Sequence, residues 1–317
     1  MSNLLYSLNG TVPIFAVMVL GYCLKKTGML TEEFVAVANR YVFCVALPVM
    51  VFEDLWTADI GREFDWRFVV FCFATTVVSF FLIWAGAELF MKDKTMIGAF
   101  VQGSFRSSAA ILGLAFIKNM YGDAGLAPLM IVGAVPFYNV ASVVVLTFRG
   151  RNQENTKGKE GIRKACINIV KNPIIIGIVL GCIASLIDLK LPKMVTKTLD
   201  LVQCTATPLA LLAIGAGFTF TSARTKKCPA IWGTVIKLVL QPLVVIPLAI
   251  WMGFQDQEML AILIMIGGPA TVSGYVMAKE MDNDEVLASY IIVLSTLFSA
   301  FTLTIWIYIL KCLGMLS

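Results

Sequence analysis

The sequence predicts an all-α polytopic membrane protein: ten transmembrane helices in a 5+5 inverted repeat, with broken helices in spans 4 and 9. Three observations predict it. Hydrophobic residues make up 59% of the chain, charged residues only 14%, and mean hydropathy is +0.85, whereas soluble domains are about 25% charged. Apolar stretches of about 20 residues, each able to cross a ~30 Å hydrocarbon core, recur along nearly the whole length. Residues also recur at a fixed offset. Pro13, Val19, Leu20, Gly21, Cys44, Ala46 and Pro48 return 160 positions later as Pro173, Val179, Leu180, Gly181, Cys204, Ala206 and Pro208. Gly113, Lys118, Met120, Asp123, Leu126 and Ala127 return 161 positions later as Gly274, Lys279, Met281, Asp284, Leu287 and Ala288. A register held with one added residue marks two copies of one unit.

Taken in order, the first half supplies spans at 8–25, 33–53, 67–90, 94–119 and 127–148. The second supplies 172–188, 194–219, 229–253, 258–279 and 286–311. The chain divides into a first repeat (1–148), a polar cytoplasmic linker (149–171) and a second repeat (172–317). Residues 1–10 carry no Lys or Arg, so no basic region of a cleaved signal is present and span 1 is expected to be retained. Gly21 and Gly181 are expected to let helices pack closely. Asn39 and Arg40 precede Pro48 in span 2, and Gln203 and Thr207 flank the approach to Pro208 in span 7; the two prolines predict kinks.

Orientation follows from Lys and Arg. The loops after spans 1, 3, 5, 7 and 9 together hold fifteen, and the opposite side holds seven. The positive-inside rule puts the fifteen in the cytoplasm and both termini outside. Glu53, Asp54, Asp59, Glu63 and Asp65 make the loop after span 2 acidic, which agrees. The net charge of +5 is thus a topology signal, and a nucleic-acid partner is not expected. Five spans per half is an odd number, so the second copy enters the membrane from the other side. Inverted halves are the plan of many secondary transporters, which bind substrate where helices break near the midplane.

The expected breaks stand at matched places. Span 4 contains Gly103-Ser104-Phe105-Arg106-Ser107-Ser108-Ala109-Ala110, and span 9 contains Gly267-Gly268-Pro269-Ala270-Thr271-Val272-Ser273. At the 161 offset, Ser107 and Ser108 align with Gly268 and Pro269. Proline removes a donor, Ser hydroxyls can bond freed carbonyls, and broken backbone at this depth must be buried or line a cavity. Arg106 is the sharpest residue. A central Arg costs roughly 2.5–3.5 kcal/mol on insertion scales. Glu88, Glu53 and Asp54 lie near span ends, so no carboxylate is expected to pair with it. An unpaired guanidinium suits a carboxylate ligand; the alternative is that Arg106 bonds carbonyls exposed by the break or snorkels along a cavity. Gln102, Asn139, Ser142, Thr271 and Ser273 either line a path or bond neighbouring helices. The candidate binding residues are Arg106, Ser107, Ser108, Ala109, Pro269, Ala270, Thr271, Ser273, Asn139 and Gln102.

The eight cysteines are scattered without a CxxC and there is no His, so no metal site and no cofactor are expected, and the cysteines read as small packing residues. An enzyme would need a His, an activated Cys or a carboxylate pair, and a sensor would carry a soluble output domain. Neither pattern is present.

The segments Phe105-Arg106-Ser107-Ser108 with Leu112-Gly113, Asn172-Pro173 with Gly181, Pro208-Leu209-Ala210-Leu211 with Gly215, and Pro269-Ala270-Thr271-Val272 with Ala278-Lys279-Glu280 resemble the auxin efflux carrier family. That family includes plant auxin carriers and bacterial permeases for malate and malonate. The resemblance covers essentially the whole chain. It implies an elevator carrier of organic anions, with spans 3–5 and 8–10 as a transport domain in which two broken helices cross. Spans 1, 2, 6 and 7 would be the scaffold and a homodimer interface. The chain departs from the family at Ser108, commonly Asn there, and at Ser107, Pro in plant members; auxin itself is therefore not the expected substrate.

The expected function is secondary transport of small mono- or dicarboxylates across the cell membrane. Two alternatives stand beside it: a Na⁺- or H⁺-coupled carrier of a non-carboxylate solute, and an anion channel. Na⁺ or H⁺ is the expected coupling ion where there is one. The lipid bilayer and a small organic anion are the expected partners.

Overall fold

The computed structural model describes residues 16–57, 65–109, 126–150, 159–217 and 226–316, together with positions 13 and 117. Among these residues the chain is helical, with no strand. Among the described residues six helical segments are long and apolar enough to cross a membrane: Glu32–Trp56, Trp66–Phe90, Leu129–Phe148, Lys193–Gly217, Lys227–Trp251 and Glu285–Cys312. Each has at least 20 residues, roughly 30 Å or more at 1.5 Å per residue.

We number the helices in chain order. The first, α1, spans 16–26. Next come α2 (Glu32–Trp56), α3 (Trp66–Phe90), α4 (Ile97–Phe105), α5 (Ala127–Phe148) and α6 (Lys159–Val170). They are followed by α7 (Pro173–Leu186), α8 (Lys193–Gln203), α9 (Ala206–Gly217) and α10 (Lys227–Trp251). The chain closes with α11 (Asp256–Gly267), α12 (Ser273–Glu280) and α13 (Glu285–Cys312). Polar side chains start them where the sequence offers caps. Thr31 accepts from Phe34 N (3.1 Å), Asp65 from Arg67 N (2.9 Å) and Asp284 from Leu287 N (2.9 Å). Asn172 accepts from Ile174 N (2.9 Å) beside Pro173 at the first helical position. Each cap satisfies a donor that a first turn leaves free.

Pro48, Pro208 and Pro242 sit at irregularities, whereas Pro136 and Pro247 lie inside α5 and α10. A π-helical turn, Val42–Ala46, lies just before Pro48 in α2. The span that was predicted at 194–219 is two helices, α8 and α9, parted by a turn at Cys204 and Thr205 before Pro208. A second π-turn, Ile236–Leu240, precedes Pro242 in α10. In each case the ring lacks the donor that the regular ladder needs, and the preceding turn takes up the mismatch.

Within residues 149–171, expected as a polar linker, the chain forms the helix α6, whose Ile169 packs against the core. The expectation for the cysteines is corrected. Of the eight cysteines only Cys72 is buried; the other seven are exposed and all are free. Packing thus explains one of them. Repeat positions 113, 118, 120 and 123, and the second part of predicted span 4, lie outside the described residues apart from position 117.

Close packing between the halves rests on glycines. A Cβ on Gly21 of α1 would strike the Leu212 carbonyl of α9, and one on Gly181 of α7 would stand 2.9 Å from the Phe52 carbonyl of α2. These contacts are a matched pair: Gly181 and Leu212 lie 160 positions after Gly21 and Phe52. Gly215 of α9 faces the Met18 carbonyl of α1 still more closely. At the ends, Glu88 of α3 pairs with Arg149 at the end of α5, and Lys226 with Asp284 at 2.8 Å.

The glycine contacts predict an asymmetric pair of substitutions. Gly215→Val must push α9 off α1 and is expected to cost about 1–3 kcal/mol through overpacking, read as a lower midpoint of thermal unfolding in detergent. Gly86→Ala in α3 meets nothing within 4 Å and is expected to raise the midpoint, since Ala favours a helix over Gly by about 0.5–1 kcal/mol.

Candidate functional site

Two helices stop inside the protein. The nine residues of α4 rise only about 13 Å, less than half of a ~30 Å hydrocarbon core. It ends at Phe105, and Arg106 leaves in extended conformation, φ −81° and ψ 132°. α11 ends at Gly267, Gly268 is extended at φ −71° and ψ 162°, and the chain re-enters helix at Ser273.

The two interruptions meet. Ser108 N donates to the Pro269 carbonyl at 2.9 Å, so the pair that the repeat aligns is also in contact. Ser107 Oγ donates to Ile264 O at 3.0 Å. Gly268 makes this approach feasible: a Cβ there would stand 2.5 Å from Ile264 O and 2.7 Å from Ser107 Oγ. Ala270 N finds Ser295 Oγ of α13 at 3.1 Å.

Arg106 is buried, at 5% exposure. Its guanidinium donates to Asn139 Oδ1 (2.8 Å) and Ser142 Oγ (3.5 Å) on α5 and to Met277 Sδ (3.0 Å) on α12. Asn139 Nδ2 is held by Val135 O at 3.1 Å, which aims its oxygen at the cation. Among the described residues these partners are neutral side chains and none is a backbone carbonyl.

A cavity of about 30 Å³ lies in front of the guanidinium, lined by Arg106, Ser107, Ser108, Ala109, Tyr138, Asn139, Thr271, Val135, Met50 and Asp54. It has room for about one or two waters, too little for a dicarboxylate, so the site must widen to admit one. Asp54 corrects the expectation that no carboxylate stands at this level. It lies near the end of α2 in sequence, yet lines the cavity. No ion pair within 4 Å joins it to Arg106 among the described residues, so the guanidinium is not neutralised by contact.

The remaining candidates divide. Gln102, Ala270 and Thr271 line a second, smaller cavity of about 10 Å³ with Gly103, Gly274, Ala288 and Ile292. Gln102 Nε2 reaches Met277 Sδ at 3.4 Å, and its Oε1 has no partner. Thr271 lines both cavities. Ser273 bonds Thr271, 3.1 Å between hydroxyls, but lines neither cavity. Pro269 contributes its carbonyl to the junction. A larger groove of about 560 Å³ between α3 and α10 is lined mainly by apolar side chains such as Val70, Phe71 and Val244, and Gln241 belongs both to its wall and to the junction.

Several residues at the junction escaped the sequence reading. Lys237 of α10 is fully buried and donates to Phe105 O at 3.1 Å and Met265 O at 3.5 Å. Gln241 Nε2 donates to Ser104 O at 2.5 Å, and Tyr138 OH to Met265 O at 2.9 Å. A lone Lys in an apolar span was the available signal for Lys237. Nothing in the sequence marks Tyr138, because a Tyr in a span is ordinary.

Comparison with known proteins bears on what such a site handles. A family described as "Membrane transport protein" matches residues 6–307. The chain is 27% identical over 301 residues to an "Uncharacterized transporter" of Methanothermobacter thermautotrophicus, covering 94% of this chain and 96% of that protein. It is 23% identical over 308 residues to a protein of Rhizobium meliloti named "Putative malonate transporter", covering 95% and 94%. A protein of Methanocaldococcus jannaschii, also named an uncharacterized transporter, is 21% identical over 309 residues.

The junction's hydrogen bonds predict a measurable loss. Tyr138→Phe removes one donor from the Met265 carbonyl and is expected to lower stability by about 0.5–1.5 kcal/mol. The thermal unfolding midpoint checks it, and an unchanged midpoint would show that the bond contributes nothing.

Proposed function

The chain belongs to the membrane transport protein family, and from that premise we propose that it is a secondary carrier of small organic anions. Mono- or dicarboxylates such as malate or malonate are the substrates proposed, bound where spans 4 and 9 break. The observation that carries this reading is Arg106: a buried guanidinium beside a cavity, held by Asn139, Ser142 and Met277 and, among the described residues, by no carboxylate in contact. Such a planar fork suits a carboxylate. The name of the Rhizobium meliloti relative agrees with this substrate class.

The mechanism proposed is elevator-type alternating access by a 5+5 inverted repeat. Spans 1, 2, 6 and 7 form the scaffold and a dimer interface, and spans 3–5 and 8–10 carry the site. The matched glycine contacts between α1 and α9 and between α7 and α2 support a symmetric scaffold. The cavity is bounded by Met50 and Asp54 from α2 on one side and by the broken helices on the other. A site between the scaffold and the moving unit is what an elevator needs. The cell membrane, with both termini outside, completes the reading.

Asp54 favours one addition, coupling to protons. A carboxylate in the same cavity repels a dianion when ionised and not when protonated, so proton uptake at Asp54 would accompany anion binding.

Flux of malonate and malate into liposomes holding the purified protein tests the reading. Saturable uptake with counterflow is expected, which separates a carrier from a channel. Arg106→Gln is expected to raise the half-saturating concentration about 10- to 100-fold, the loss of a charge-assisted hydrogen bond of about 1.5–3 kcal/mol. Unchanged saturation in that variant would refute the binding role. Asp54→Asn is expected to tighten dianion binding and to abolish the response of uptake to a pH gradient; a full response in that variant would remove the proton route.

A further inference from the structure

We propose that Lys237 is a built-in cation standing where a carrier of this plan would hold a coupling metal cation, so that this chain works without Na⁺. The proposal rests on the carrier reading above. Its geometry is independent of the substrate.

The meeting of two interrupted helices creates a specific electrostatic problem. Phe105 is the last residue of α4, and Met265 lies two residues before the end of α11. The last carbonyls of a helix have no partner within it, and together they form its negative dipole end. Two such ends face each other here. In broken-helix carriers, carbonyls at half-helix C-termini are the groups that coordinate Na⁺. In this chain the ammonium of Lys237 reaches both ends, at 3.1 Å to Phe105 O and 3.5 Å to Met265 O.

The surroundings make this a built position. The Lys237 side chain is fully buried and no carboxylate pairs with it among the described residues. Gln241 on the same helix bonds Ser104 O, and Tyr138 bonds Met265 O from the opposite helix. The lysine lies in the π-turn Ile236–Leu240, whose Leu238 carbonyl is taken up by Trp306 Nε1 at 3.1 Å. Single π-turns of this kind often mark functional positions. Lys237 lines neither of the two small cavities, so its charge is committed to the backbone and is not offered to substrate.

An ammonium bonded to these oxygens fills their demand for positive charge and repels a second cation. Unlike Na⁺, it cannot leave, so it stores no gradient energy. Coupling then falls to protons or to anion exchange.

Thermal unfolding of the purified full-length protein in sodium chloride, against an equal concentration of choline chloride, decides the matter without needing the substrate. Wild type and Lys237→Arg are expected to unfold at the same temperature in both salts. Lys237→Ala is expected to unfold earlier in choline and to regain at least half of that loss in sodium. Stabilisation of the wild type by sodium, or a Lys237→Ala variant that sodium does not stabilise, would overturn the proposal. Should Lys237→Ala yield no folded protein, the wild type still decides: sodium-dependent stability or flux overturns the proposal, and independence in both with an active Lys237→Arg supports it. Absence of carboxylate flux in the wild type would sink the carrier reading instead, leaving the salt comparison to stand alone.

Discussion

Backbone that stops being helical inside a membrane has no water to bond, and each orphaned group there costs several kcal/mol. That constraint organises this molecule. The chain interrupts a helix after Phe105 and another after Gly267, and neighbouring side chains then answer the exposed groups. Ser107 takes Ile264 O, Gln241 takes Ser104 O, Tyr138 and Lys237 take Met265 O, and Ser295 serves Ala270 N. The breaks also serve each other through Ser108 N and Pro269 O. Helices α5, α10 and α13 are therefore tied to the junction by hydrogen bonds.

The same constraint separates two buried cations. Lys237 bonds backbone oxygens at helix ends, where the field is negative. Arg106 bonds side chains that carry no charge, and one of them, Asn139, is itself held by Val135 O. One cation is neutralised by the fold and the other is only positioned by it. The positioned one faces the cavity. That difference, more than the presence of an Arg at mid-span, is what fits the junction to the proposed anion.

Much of this was legible in the sequence. The apolar spans follow from hydropathy, and the ends of α4 at Phe105 and of α11 at Gly267 fall in the Gly-, Ser- and Pro-bearing segments that the sequence singles out. What escaped is what the fold brings together across long separations. Asp54 reads as a loop-side carboxylate because sequence depth is counted along one helix, while the cavity is set by how α2 packs on the broken segments. Lys237 was visible as a mid-span charge, but its partners come from α4 and α11, distant in the chain. The helix within 159–170 escaped because a polar composition masked its apolar face.

The repeat explains the scaffold better than it explains the site. Gly21 on Leu212 and Gly181 on Phe52 are one contact made twice. At the junction the correspondence fails residue by residue. At the 161 offset Arg106 aligns with Gly267, Asn139 with Ala300, Lys237 with Thr76 and Gln241 with Phe80; at 160, Asp54 aligns with Ile214. The cavity-lining Arg106 and Asn139 come from the first half and the carbonyl-binding Lys237 from the second. If the halves exchange as proposed, the two states would share a scaffold energy but not a site energy. The uneven distribution of charge would then set their balance and let a bound anion shift it.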